Sequence, residues 1–194
     1  MHKVLLAVAV TFFVAACAGP SVPDQPPELV APPPVATSGF ETAYAEETIP
    51  MSLPQLRRFM ERQPLITFLE PTESISNPVE SQVLQGEWAQ PGAVRWLRLA
   101  DGHYVVERVI ENRPDFFKYQ VFVFTNAAGA GVEQIVGEQR FVPVENGTRM
   151  EWTYNVRPKN ALTRIFVKQN LPEVDGYITN GLRAFADAAR AAAG

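Results

Sequence analysis

The chain has 194 residues, 46% of them hydrophobic and 20% charged, with a formal net charge of −4. Its single cysteine excludes an intramolecular disulfide framework and any multi-cysteine zinc site, and two histidines leave little for a His-based metal centre. The acidic balance argues against a nucleic-acid binder, which usually shows a basic stripe, and the length is enough to bury a sizeable core.

The first element is an apolar run, Val4 to Val14, broken only by Thr11 and preceded by Lys3. It is too short to span a bilayer, which needs about 20 residues, and fits the hydrophobic region of a secretory signal. Ala15, Ala16 and the only cysteine, Cys17, follow directly. The stretch Val14-Ala15-Ala16-Cys17 resembles the bacterial lipobox, in which small residues precede the cysteine that is acylated. The resemblance implies a signal peptide over residues 1–16, lipidation of Cys17 and anchoring to a membrane. With Ala18 after the cysteine rather than Asp, it implies an outer-membrane lipoprotein facing the periplasm of the bacterial envelope.

Seven of the fifteen residues from Pro20 to Pro34 are proline. Proline fixes φ and removes N–H donors, so residues 17–39 are expected to form a tether. At about 3.1 Å per residue it would hold a domain roughly 60 Å from the membrane.

The folded domain is expected over residues 40–194. Phe40–Ile49 reads as a strand. Ser52-Leu53-Pro54 opens a helix carrying Leu56, Phe59 and Met60, and Pro64–Leu69 adds a second short one. Six strands follow: Val79–Gln85, Ala93–Ala100, His103–Glu111, Phe116–Thr125, Val132–Val144 and Thr148–Arg157. The turn signals between them include Asp101-Gly102 and Asn146-Gly147. In the fifth of these strands Gly137 suggests a bulge and Pro143 a sheet edge. A short helix, Ala161–Lys168, is expected next. A second is expected from Asn170 as its cap, with Val174, Tyr177, Ile178, Leu182, Phe185 and Ala189 on one apolar stripe.

This order is similar to the START-like helix-grip fold of the polyketide cyclase/dehydrase and lipid-transport superfamily. The resemblance is carried by Pro91 to Gly102, by Val106-Glu107-Arg108-Val109, by Tyr119-Gln120-Val121 and by Asn146 to Thr153. It implies an α+β domain in which a curved antiparallel sheet wraps a long C-terminal helix and leaves a cavity. The small-residue loop Ala127–Gly131 departs from relatives, and its composition suits a flexible entrance.

Strand alternation assigns the inward set. It comprises Leu97 and Leu99; Val105 and Glu107; Tyr119 and Val121; Trp152 and Tyr154. The helix adds Tyr177 and Phe185. These are the candidate ligand-binding residues, and the aromatic set could equally fill a core. Arg95 shares the inward parity but should reach water at its strand end. Trp96 and Arg98 look outward, Lys118 and Gln120 should be solvated, and His103 should sit in water at a hairpin tip. Glu107 is either a cavity carboxylate or a solvated or Arg-paired one.

No nucleophile motif, phosphate loop or metal spacing is present, so no catalytic residue, metal or cofactor is expected. The expected partner is a hydrophobic small molecule or lipid, bound without catalysis. Two alternatives stand. One is a cyclase-like enzyme using Glu107 with Tyr119 or Tyr154; the other is an envelope protein with a filled cavity that binds another protein.

Overall fold

In the computed structural model, residues 19–193 are described, so the signal segment and Cys17 lie outside the described residues. The elements are β1 (Glu41–Ile49), α1 (Leu53–Arg62), a 3₁₀ turn (Leu65–Phe68), β2 (Pro78–Gln85), β3 (Val94–Leu99), β4 (Tyr104–Arg113), β5 (Phe116–Phe124), β6 (Val132–Val144), β7 (Gly147–Pro158) and α2 (Ala161–Ala193). The strands form one curved antiparallel sheet in the order β1-β7-β6-β5-β4-β3-β2. The helix-grip expectation is met: α2 lies across the sheet, packed on β1, β7 and the 3₁₀ turn.

Local chemistry explains the joints. Pro54 fits the first turn of α1, where its missing N–H is not needed, and Gln55 Oε1 accepts the Ser52 N–H at 2.9 Å. Asn160 caps α2, its Oδ1 accepting the N–H groups of Leu162 and Thr163, each at 3.0 Å. The Asp101-Gly102 and Asn146-Gly147 turns fall where expected, with Gly102 at φ +84°.

The main core lies between α2, α1 and one end of the sheet. Ile49, Leu56, Phe141, Met150, Ile178, Leu182 and Phe185 are fully or almost fully buried there. A smaller cluster covers the outer sheet face, where Trp96 meets Tyr104 edge-on at 5.4 Å. Trp96 therefore faces outward, as its parity indicated, yet is buried by its neighbours.

Four expectations change. First, α2 is continuous over 33 residues, where two helices were expected. Pro172 sits inside it, and Asn170 is no cap: its side-chain amide donates to the Phe166 carbonyl at 2.8 Å. Tertiary packing of the following stripe overrides the local break.

Second, Gly137 is no bulge. It pairs regularly with Tyr119 and Tyr154, and the register break in β6 falls between Val132 and Gln134. A Cβ at Gly137 would stand 2.1 Å from the Tyr119 ring, so this glycine exists to let that ring lie across the strand. The Pro143 reading agrees with the pairing, because β5 stops pairing with β6 at Arg140.

Third, the proline segment does not stand off the domain along its whole length. Residues 33–36 lie on the outer sheet face as a strap. Arg108 donates to the Pro33 carbonyl at 2.9 Å, Gln134 Nε2 to the Pro34 carbonyl at 3.2 Å, and the Ala36 N–H to Gln134 Oε1 at 3.0 Å. Proline's free carbonyls and missing N–H groups suit it to this acceptor role. Gln120, expected in water, is fully buried beneath the strap and donates to Gln134 Oε1 at 2.8 Å.

Fourth, His103 is buried rather than at a wet hairpin tip, its Nδ1 lying 3.1 Å from the Thr125 hydroxyl.

The sheet has two edges, β1 and β2. β1 is covered by α2, whereas β2 is mostly exposed and its pairing with β3 shifts register twice, at Pro78/Glu80 and Val83/Gln85.

Candidate functional site: an apolar cavity with free polar groups

Between the concave sheet face and α2 lies a cavity of about 200 Å³. For scale, an apolar cavity of about 150 Å³ binds benzene. Its wall takes alternate residues from five strands. β3 gives Leu97 and Leu99, β4 gives Val105 and Glu107, β5 gives Tyr119 and Val121, β6 gives Ile135 and Gln139, and β7 gives Trp152 and Tyr154. Leu65 and Ile66 from the 3₁₀ turn, Leu69 just after it and Tyr177 from α2 close it.

Nine of the ten residues expected to meet a ligand line this cavity: Leu97, Leu99, Val105, Glu107, Tyr119, Val121, Trp152, Tyr154 and Tyr177. Phe185 does not. It is fully buried two helical turns further on, its ring 5.4 Å from Phe59 and 5.5 Å from Phe68. Those two rings come from α1 and the 3₁₀ turn, whose packing the stripe on α2 alone could not place. Asn126, Ala128 and Gly129 of the small-residue loop also border the cavity.

Glu107 resolves as a buried, paired carboxylate. It is 4% exposed and sits directly across β3 and β4 from Arg95, which is 8% exposed. Arg95 Nε donates to Glu107 Oε1 at 2.6 Å, and the second Arg95 contact falls on the same oxygen at 2.5 Å. The guanidinium also lies 3.5 Å from the centre of the Trp88 ring. Arg95 was expected to reach water; Glu107 and Trp88 instead hold it at the cavity wall.

The aromatic wall is a chain of contacts. Phe117 stacks on Tyr119 at 5.7 Å, Tyr119 meets Tyr154 at 6.4 Å, and Tyr154 meets Trp152 edge-on at 6.0 Å. Trp152 Nε1 donates to the Tyr119 hydroxyl at 3.1 Å. Burial pushes the Tyr119 phenol well up, with Tyr154 and Glu107 adding and the Trp152 hydrogen bond opposing. Burial does the same to Tyr154 and Tyr177, and for Tyr154 the nearby Tyr177 and Glu107 add to it. All three hydroxyls are neutral donors at physiological pH.

The group missed from the sequence is Gln139. It is 5% exposed, lines the cavity and lies across β7 from Trp152. The signal was available, since pairing with the Trp152 face turns Gln139 to the same side. Among the described residues, no side chain or backbone group hydrogen-bonds the Gln139 amide or the Tyr154 and Tyr177 hydroxyls, yet no side-chain polar atom is fully buried without a partner. These three groups therefore keep accessible surface and spare hydrogen-bonding capacity at the cavity.

A long helix gripped by a curved sheet, enclosing an aromatic cavity with a few polar groups, defines a hydrophobic-ligand class of site. Residues 70–190 match the family model described as polyketide cyclase / dehydrase and lipid transport, and the chain belongs to that family. No curated protein matches the chain. Among solved structures it is similar to Ara h 8.0201, at 15% identity and TM-score 0.54, over 78% of this chain and 98% of the other. It is similar to TTHA0849 from Thermus thermophilus, at 14% identity and TM-score 0.58, over 79% and 100%. An uncharacterised Bacillus thuringiensis protein matches at 16% identity and TM-score 0.52, over 76% and 98%. At these identities the likeness is one of fold.

Among the described residues no helix is long and apolar enough to cross a membrane, and no cluster of His, Cys, Asp and Glu could hold a metal ion.

Proposed function

We propose that the chain is a lipoprotein of the bacterial periplasm, anchored to the outer membrane through Cys17, whose cavity binds a hydrophobic small molecule or lipid without transforming it. The carrying observation is the cavity itself: apolar and aromatic over most of its wall, with Gln139, Tyr154 and Tyr177 still free to orient a polar group. Family membership supports the ligand class. Binding is favoured over catalysis because the Glu107 carboxylate is engaged by Arg95 and is therefore no free base. The anchor rests on the apolar run before Val14-Ala15-Ala16-Cys17.

Native mass spectrometry of the purified protein, followed by organic extraction, tests the ligand. A co-purifying apolar species is expected; a cavity that takes up neither a cellular lipid nor an added aromatic probe overturns the reading. For the anchor, Cys17→Ser should abolish labelling by a palmitate analogue, and persistent labelling refutes it.

A further inference from the structure

We propose that the first two turns of α2, with the β5–β6 loop beside them, dock on an anionic lipid bilayer and turn the loop end of the cavity toward it. The orientation rests on the Cys17 anchor proposed above.

Leu162, Ile165 and Phe166 are 80%, 58% and 47% exposed. Their i, i+3, i+4 spacing puts them on one helix face, an apolar stripe left without a partner among the described residues. The β5–β6 loop abuts this face, because a Cβ on Gly131 would stand 3.2 Å from Thr163 and 3.7 Å from Phe166. The same loop contributes Asn126, Ala128 and Gly129 to the cavity wall. The exposed stripe and the cavity are thus neighbours.

Charge selects the occupant. Residues 157–168 hold Arg157, Lys159, Arg164 and Lys168 and no acid, in a chain whose net charge is −4. Glu133 pairs with Arg157 and Glu41 with Arg164, while exposed Lys168 is only 4.0 Å from Glu41 and Lys159 donates to a backbone carbonyl. The face keeps a positive surplus. Each basic residue near an anionic membrane surface contributes about 1 kcal/mol of attraction.

Chain geometry supplies the third line. Gly19 lies against Ala127 of the β5–β6 loop, and Val22 against Gly102 of the β3–β4 hairpin at the same end of the sheet. This end of the sheet therefore carries the apolar stripe, the loop that borders the cavity and the first described residue, Gly19.

The test uses the full chain, produced in a host that acylates lipoproteins and reconstituted in phosphatidylglycerol/phosphatidylethanolamine vesicles. An environment-sensitive dye is placed at Ile165→Cys or, should that variant misfold, at Leu162→Cys. Glu145→Cys, exposed on the turn at the opposite end of the sheet, is the reference. Several-fold stronger quenching by spin-labelled lipid at 165 than at 145, weakening in neutral phosphatidylcholine vesicles, is expected. A position 165 as aqueous as 145 overturns the proposal. So does a position shielded but unquenched by lipid, as a second copy or a protein partner would produce. The intact mass of the same sample separates the two readings. An acylated chain with aqueous 165 sinks the docking surface alone, whereas a quenched 165 on a chain without acyl mass sinks the anchor alone.

Discussion

Arg95 and Glu107 face each other across β3 and β4 with Nε 2.6 Å from Oε1, and Trp88 closes over the guanidinium. Among the described residues, the pair is the ionic feature of a wall that is otherwise mostly aromatic and aliphatic. Removing one partner of a buried pair leaves the other uncompensated, at about 3–5 kcal/mol. Glu107→Leu or Arg95→Met alone should lower unfolding free energy by that amount in a denaturant titration. The double variant should recover most of it, since two apolar residues leave no orphaned charge. A double variant as unstable as the singles would contradict the pairing.

Gly137→Ala should close the cavity from within. The added methyl displaces the Tyr119 ring, which has the cavity on its other side. Overpacking of this kind costs about 1–3 kcal/mol of stability. Binding of an apolar fluorescent probe should fall at least about tenfold, equivalent to about 1.4 kcal/mol. Unchanged probe affinity would show that the ring has room elsewhere.

Gln139→Leu separates polar from apolar ligands. A neutral hydrogen bond is worth about 1 kcal/mol net. Affinity for naphthol should therefore drop about fivefold relative to naphthalene, while naphthalene itself binds as well or better. Calorimetric titration of both ligands reads the ratio. Equal losses for both would place the amide outside the site.

The three cavity tyrosines set an alkaline limit. Their folded-state pKa values are raised by burial above the ordinary phenol value near 10. The folded state then holds protons that the unfolded chain releases, so stability is complete below about pH 10 and falls as pH rises past it. Thermal melts should show that fall. Tyr154→Phe should make it shallower, and an unchanged slope would mean that Tyr154 ionises freely in the folded protein.

Deleting residues 19–38 should expose the Gln120 and Gln134 amides to water. Hydration replaces the lost carbonyl partners, so the cost should be modest, about 1–3 kcal/mol. Hydrogen exchange should quicken in the middle of β4, β5 and β6 and stay unchanged in α1. Uniform quickening would mean that the strap supports the whole fold.

Strand alternation and turn chemistry were enough to read the strands, their succession along the chain and eight cavity residues, because period-two patterning is local; the curved sheet around the helix came from the family resemblance. What escaped is set by partners distant in sequence. Phe185 belongs to the core because Phe59 and Phe68 arrive beside it from more than a hundred residues away. Gln120 looks solvated in its own strand and is buried only because the proline strap returns over it. Pro172 marks a local stop that the packed stripe beyond it overrides. Gly137 carries the signal of a bulge, and only the Tyr119 ring across the ladder shows its use.

The exposed strand β2 has a further consequence for self-association. An open sheet offers its unpaired N–H and C=O groups to any strand that approaches. Here Pro78 begins the strand without an N–H, Glu80 places a carboxylate along it, and two register breaks bend its ladder. A flat template is thereby spoiled along the one uncovered edge. Copies crowded side by side on a surface can meet there without zipping into a continuous sheet.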